Sequence, residues 1–162
     1  MRGTAVVQNT NTFIKGWNRA KFLELREFTA GDKNFTSAKF DVGSNYPEEV
    51  ILTNENDEPI LNRCNEIIRV FGGKDLPEGT KAETIVGQLT RCFGKECSVL
   101  LVKKPSKKDP SKAYYKIYSS RPDWIKGVAA IGEEFTEEVT FGKPPVQKDE
   151  TSTPFGTTEE DF

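Results

Sequence analysis

From Trp17 onward, apolar and polar positions alternate with a period of two. In Phe22-Leu23-Glu24-Leu25-Arg26-Glu27-Phe28, strict alternation sets Leu23 and Leu25 on one face and Phe22, Glu24, Arg26 and Phe28 on the other. Phe35 to Val42 alternates again, and the turn residues Ala30-Gly31-Asp32-Lys33-Asn34 between the two runs predict a β-hairpin. Glu49 to Thr53 predicts a third short strand, bounded by Gly43-Ser44-Asn45-Tyr46-Pro47 and by Asn54 to Pro59. The period then lengthens. Leu61, Cys64, Ile67, Ile68 and Phe71 form one helical stripe, stopped by Gly72-Gly73 as a glycine cap. Ile85, Val86, Leu89 and Phe93 predict a second helix from Thr80 to Phe93, with Thr80 and Glu83 at capping-box spacing. Val99-Leu100-Leu101-Val102 centres a strand from Glu96 to Lys103, and Ala113 to Ser119 is its partner across a basic loop, Lys104 to Lys112. Trp124 to Ile131 reads as a short helix or a turn packing Trp124 on the core, and Glu133 to Phe141 as a last strand or an acidic turn.

The pattern predicts a mainly β fold with one or two helices. With 162 residues the chain is long enough for one domain and a tail. Residues 1–12 are polar and Asn/Thr-rich and are expected to form a flexible arm, and residues 13–141 the domain. From residue 142 the composition changes: three prolines, five carboxylate side chains, two lysines, and Phe155 and Phe162 as the only aromatics. Such a segment buries too little apolar surface to offset the entropy of ordering, so 142–162 is expected to be a disordered acidic tail. No stretch of eighteen apolar residues predicts a membrane span. The first residues lack the apolar core of a secretory signal. Three cysteines, Cys64, Cys92 and Cys97, suit a reducing cytoplasm better than a disulfide framework.

The residues that are missing narrow the chemistry. With no histidine, Ser-His-Asp triads, Cys-His nucleophiles and HExxH zinc sites are excluded. Cys92 and Cys97 with Cys64 fall short of the four ligands of a closed zinc site, and they read as small buried hydrophobes. Gly72-Gly73-Lys74 is followed by Asp75 where a phosphate loop needs Ser or Thr. Carboxylates are plentiful, yet no spaced set stands out as a magnesium site. The expectation is a non-enzymatic protein with no catalytic residues, no metal and no cofactor.

Charge is unevenly distributed. The formal net charge is −2, but Arg91 to Lys126 holds ten basic and three acidic residues, a local +7. Aromatics are interleaved with the lysines. On the strand after the basic loop, Tyr114, Lys116 and Tyr118 share a face, and Tyr115 and Ile117 the other. Rings flanking an ammonium group match what single-stranded nucleic acid needs: bases stack at roughly 1–3 kcal/mol each while lysines meet phosphates. Lys103, Lys104, Lys107, Lys108, Lys112 and Lys116 are the candidate phosphate contacts, and Tyr114 and Tyr118 the candidate stacking rings. Trp17, Phe22, Arg26 and Trp124 are further candidates. Which face of the first hairpin is wet stays open, and rings as core with lysines as ordinary surface is the structural alternative.

The chain ends Glu159-Glu160-Asp161-Phe162, three carboxylates before a terminal ring. From residue 142 the balance is −3, which leaves +1 on residues 1–141. A purely solubilising tail has no use for an exposed ring at its last position, so these four residues are the candidate partner-binding tip.

A β-rich domain with a basic aromatic face, followed by a linker and an acidic tip ending in Phe, resembles the single-stranded DNA-binding proteins of bacteria and tailed phages, with Asp161 before the last Phe closer to the phage-type ending. The resemblance implies an oligonucleotide-binding fold, a Greek-key β-barrel. It implies binding of single-stranded DNA without strong sequence preference during replication or recombination. Glu159, Glu160, Asp161 and Phe162 would recruit replication or recombination proteins. It implies a cytoplasmic protein, in the host cytoplasm if viral, with no membrane partner; a homo-oligomer is compatible with it. Two rivals come from other classes: a small interaction or inhibitor protein that binds a host protein, and a magnesium-dependent nuclease.

Overall fold

In the computed structural model, which describes residues 13–109 and 111–139, a fifteen-residue strand, β1 (Gly16–Ala30), runs through the middle of the sheet. Its first half pairs antiparallel with β4 (Glu96–Pro105) and its second half with β2 (Lys33–Asp41). β2 also pairs with β3 (Glu48–Ile51) and β4 with β5 (Ala113–Ile117), giving the order β3-β2-β1-β4-β5. A two-residue β6 (Ile125–Lys126) pairs with the start of β4. Helices α1 (Leu61–Val70) and α2 (Ala82–Thr90) lie between β3 and β4 in the chain, and a 3-10 turn covers Val128–Ala130. The fold is mainly β with two helices, as the periodicity predicts. The arm 1–12 and the tail 142–162, with Glu159, Glu160, Asp161 and Phe162, lie outside the described residues. Among the described residues, no helix is long and apolar enough to cross a membrane.

The sheet does not close into the barrel that the resemblance implies. β3 and β5 are the two ends of the pairing path. A side chain reaches across instead of a ladder: the Glu48 carboxylate of β3 lies near the Ile117 N–H and the Lys116 charge of β5.

β1 departs from strict alternation at one residue. Its pairing with β2 runs Phe22 opposite Phe40 and then Glu24 opposite Lys39, so Leu23 is the extra residue of a bulge. A bulge shifts the facing of everything after it by one position and bends the strand. Phe22 and Leu25 therefore both serve the core, while Glu24, Arg26 and Phe28 stay outside. This corrects the sequence reading, which sets Phe22 on one face with Arg26 and Phe28. Phe22 is fully buried, stacked on Phe40 at 5.1 Å and meeting Phe93 edge-on at 5.1 Å.

β4 is covered on both sides, which is why its centre reads as an unbroken apolar run. Cys97 to Val102 are all buried. Ala20 pairs with Cys97 on one face and Trp17 with Leu100 on the other. The second face is roofed by the segment after β5. The Trp17 indole N–H donates to the Asp123 carbonyl (2.9 Å), its ring meets Phe135 edge-on at 6.0 Å, and Lys126 lies 3.9 Å from its centroid. Trp124 plugs the sheet against α1: fully buried, it meets Phe40 edge-on and donates its indole N–H to Glu66 at 2.6 Å.

The first helix packs by its predicted stripe, Cys64, Ile67 and Ile68 in α1; in α2 Ile85 and Leu89 are buried, while Val86 of the predicted stripe is exposed and Phe93 lies beyond the end of the helix. Gly72 ends α1 at φ +90, and a Cβ on Gly73 would lie 2.5 Å from Ile68 Cγ2, so both glycines belong to the cap. The capping box does not form. α2 starts two residues after Thr80, whose hydroxyl donates to the Pro77 carbonyl within its own turn.

The roof over Trp17 depends on a close backbone approach. A Cβ on Gly16 would sit 2.1 Å from the Glu133 carbonyl oxygen, and that oxygen accepts the Trp17 N–H at 2.9 Å. Gly16→Ala is expected to lower stability by about 1–3 kcal/mol through overpacking. Gly87, within α2 with open space around it, offers the opposite case. Gly87→Ala is expected to raise stability by roughly 0.5–1 kcal/mol. Urea unfolding of the two variants checks both signs.

Candidate nucleic-acid interface

The β4–β5 hairpin fixes the register of the candidate residues. Lys104 stands opposite Tyr114, Lys103 opposite Tyr115 and Val102 opposite Lys116. The loop is built by its own polar groups: the Ser106 N–H donates to the Lys112 carbonyl, the Lys112 N–H to the Asp109 carbonyl, and the Ser111 hydroxyl to the Asp109 carboxylate. Short polar side chains thus shape the loop, and Lys107, Lys108 and Lys112 are left on its exposed surface. Lys103 is exposed, its ammonium 5.9 Å from the Tyr115 centroid, and Lys104 and Lys116 are half-buried.

At the open seam between β3 and β5 lies a cleft of about 320 Å3, lined by Phe13, Tyr46, Glu48, Leu101, Tyr114 and Tyr115 among others. Tyr114 is 48% exposed and Tyr46, in the loop before β3, is 80% exposed. Phe13 meets Tyr115 edge-on at 5.5 Å and lines the same cleft. The site therefore combines rings that present free faces with lysines on the adjoining hairpin, and stacking and phosphate neutralisation require that combination.

Glu48 brings an acidic group to this cleft. Burial pushes its carboxyl above the ordinary value of 4.5, and this outweighs the Lys116 charge and the Ile117 N–H, which favour the ionised form; the neighbouring Glu49 adds to the rise. Glu49 itself lies outside on the sheet. Burial raises its pKa, but hydrogen bonds from Arg26 and Ser37 prevail and hold it below the usual range.

Several candidates are placed elsewhere. Trp17, Phe22 and Trp124 are buried, so none presents a ring face to a base. Each was legible as an aromatic near basic residues, but the bulge and the C-terminal roof turn them inward. Tyr118 shares a face with Tyr114, as alternation predicts, yet it is half-buried against Phe135 at 6.2 Å. Arg26 is on the surface, its Nε donating to Glu49 at 2.9 Å and its guanidinium 4.6 Å from the Phe28 centroid. Phe28 stacks on Phe35 at 5.6 Å, a second aromatic platform. The hollow beside it is lined by Glu27 and Asp57 and, among the described residues, by no lysine or arginine, whereas the cleft at the β3–β5 seam adjoins the lysine-bearing hairpin.

The sequence reading missed Tyr46, Phe13 and Glu48. Tyr46 had a usable signal: an aromatic inside Gly43-Ser44-Asn45-Tyr46-Pro47 has no strand or helix face to bury it. Phe13 and Glu48 gave none, because they reach the cleft through tertiary contacts. Among the described residues, no three His, Cys, Asp or Glu side chains gather as a metal site requires, and the three thiols are free and buried. No protein-family model matches the chain, and no curated protein matches it in sequence.

Because the folded state raises the Glu48 pKa, it holds a proton that the unfolded chain has released. Stability from this group is therefore lost as pH rises from the ordinary 4.5 through the raised folded value. Glu48→Gln, which keeps an acceptor for Ile117 and removes the charge, is expected to melt near the native protein at about pH 4 and above it at about pH 7. Thermal melts of the two proteins across that range measure the gap, and a gap that narrows with rising pH contradicts the assignment.

Proposed function

We propose that the protein binds single-stranded DNA without catalysis, protecting it during replication or recombination. The observation that carries this reading is the exposed Tyr114 face beside a loop whose Lys107, Lys108 and Lys112 stand in solvent, on one hairpin. Bases would stack on Tyr114 and Tyr46 while the lysines neutralise phosphates, so the stacking and phosphate contacts impose no strong sequence preference and affinity falls with salt. The strand order, with its two ends facing each other and the helices between β3 and β4, supports an oligonucleotide-binding barrel of the partly open kind, opened at the β3–β5 seam. The acidic tip Glu159-Glu160-Asp161-Phe162 is the proposed recruiting element for replication or recombination proteins, its ring filling a pocket and its carboxylates meeting basic residues.

Trp17 and Trp124 are buried, so anisotropy of a labelled oligonucleotide is the fitting probe of binding. Tyr114→Ala and Tyr46→Ala are expected to weaken binding by roughly 1–3 kcal/mol each at unchanged stability. Tyr118→Ala, which removes a half-buried ring, is expected to cost about 1–3 kcal/mol of stability, short of the larger loss for a fully buried aromatic. A Tyr118 variant of native stability with lost binding would reverse the assignment of the two rings.

Four lysine–phosphate contacts on single strands give a slope of about −3 for log K against log[salt]. Deleting 142–162 removes a net −3, and the shortened chain is expected to bind DNA more tightly, most visibly at low salt, and to lose its partner proteins. A titration series in salt with both chains reads the slope and the difference. A flat salt response removes the electrostatic half of the proposal.

A further inference from the structure

The cleft that holds the exposed tyrosines also holds one carboxylate, and we infer that Glu48 makes this site discriminate between bases, favouring those that offer an amino group over thymine. The inference rests on the single-stranded DNA reading above and specifies what that site selects. Glu48 is the one charged side chain among the described residues lining the cleft. Carboxylate charge repels phosphate, so a phosphate is not what this cleft takes. The lysines that suit the backbone lie on the adjoining hairpin, outside the lining, which divides the surface into a phosphate-facing strip and a base-facing cleft.

An ionised carboxylate only accepts hydrogen bonds, with about four lone-pair positions; the Lys116 charge and the Ile117 N–H both act on it from β5, and neither fills all four. The other polar lining groups do not discriminate in the same way. The Ser44 hydroxyl donates to the Tyr46 carbonyl at 2.7 Å, and the Asn45 amide carries both a donor and an acceptor. A base stacked on Tyr114 or Tyr46 thus meets an acceptor at its polar edge. Cytosine offers its N4 amino group there, whereas thymine offers the O4 oxygen, which faces the carboxylate lone pairs with no proton between them. Burial sharpens the difference, since water is less able to replace the missing contact.

Cytosine and thymine are the informative pair, both pyrimidines of similar size that differ at this edge. The test is anisotropy titration of labelled oligo(dC) and oligo(dT), about twelve nucleotides long and within the span of one such site. It uses the full-length protein and its Glu48→Gln variant at neutral pH, with thermal melts confirming that the variant is folded. The native protein is expected to bind oligo(dC) at least about fivefold tighter than oligo(dT), the low end of what one base-edge contact discriminates. Gln carries a donor as well as an acceptor, so the variant is expected to bring the two oligonucleotides to parity. Equal binding of both by the native protein, or a preference that survives in the folded variant, overturns Glu48 as the selector and leaves the DNA-binding reading standing. Failure of both oligonucleotides to bind removes that reading, and the selector with it.

Discussion

One extra residue in β1 organises the molecule. Without the bulge at Leu23, alternation would send either Phe22 or Leu25 to solvent, since they are three residues apart and a strand repeats every two. With it, Phe22 anchors the aromatic cluster of Phe40, Phe71 and Phe93 from the same strand that carries Leu25 inward and Arg26 and Phe28 outward. Bulged strands bend and twist more strongly. A bend in the central strand brings the two ends of the sheet toward each other, so β3 and β5 approach closely enough for Glu48 to reach Ile117. The cleft at that seam is a consequence of how β1 turns.

The site inherits a division of labour from this geometry. Backbone pairing fixes Tyr114 and Tyr115 opposite lysines on β4, and the hairpin loop is held mainly by backbone and short polar groups, with the Lys112 ammonium 4.0 Å from the Asp109 carboxylate, while Lys107 and Lys108 keep exposed side chains. The unfinished seam leaves room for a planar ligand between rings that a closed ladder would have pressed together. Glu48 reaches from β3 toward Ile117 and places a carboxylate inside the cleft, which is why the proposed selectivity is assigned to it.

Much of the fold was legible because its signals are local. The turn at Gly31, the stripe Cys64, Ile67 and Ile68 ended by Gly72-Gly73, and the apolar run Val99 to Val102 each appear within a dozen residues. The facing of Phe22 was not legible, since a bulge is a property of two paired strands and leaves no mark on one. Trp17 and Trp124 looked like stacking rings because their neighbours in sequence are basic, but burial is decided by residues far along the chain, Phe135 for Trp17 and Glu66 for Trp124. The lysine-rich hairpin and Tyr114 were found from charge and alternation alone, because a two-stranded ribbon keeps side-chain facing simple. Glu48 was invisible among many carboxylates until the seam placed it beside the rings.

The central claim, that the β3–β5 seam and its lysine hairpin form the surface that holds single-stranded DNA, is tested most directly by mapping backbone amide chemical shifts on titration with oligo(dC). Perturbations are expected to concentrate at Tyr46, Glu48, Lys103, Tyr114 and Tyr115 and along the loop through Lys107, Lys108 and Lys112, with α1 and α2 silent. Perturbations confined to the Phe28–Phe35 platform or to the helices, or none at saturating oligonucleotide, would contradict it.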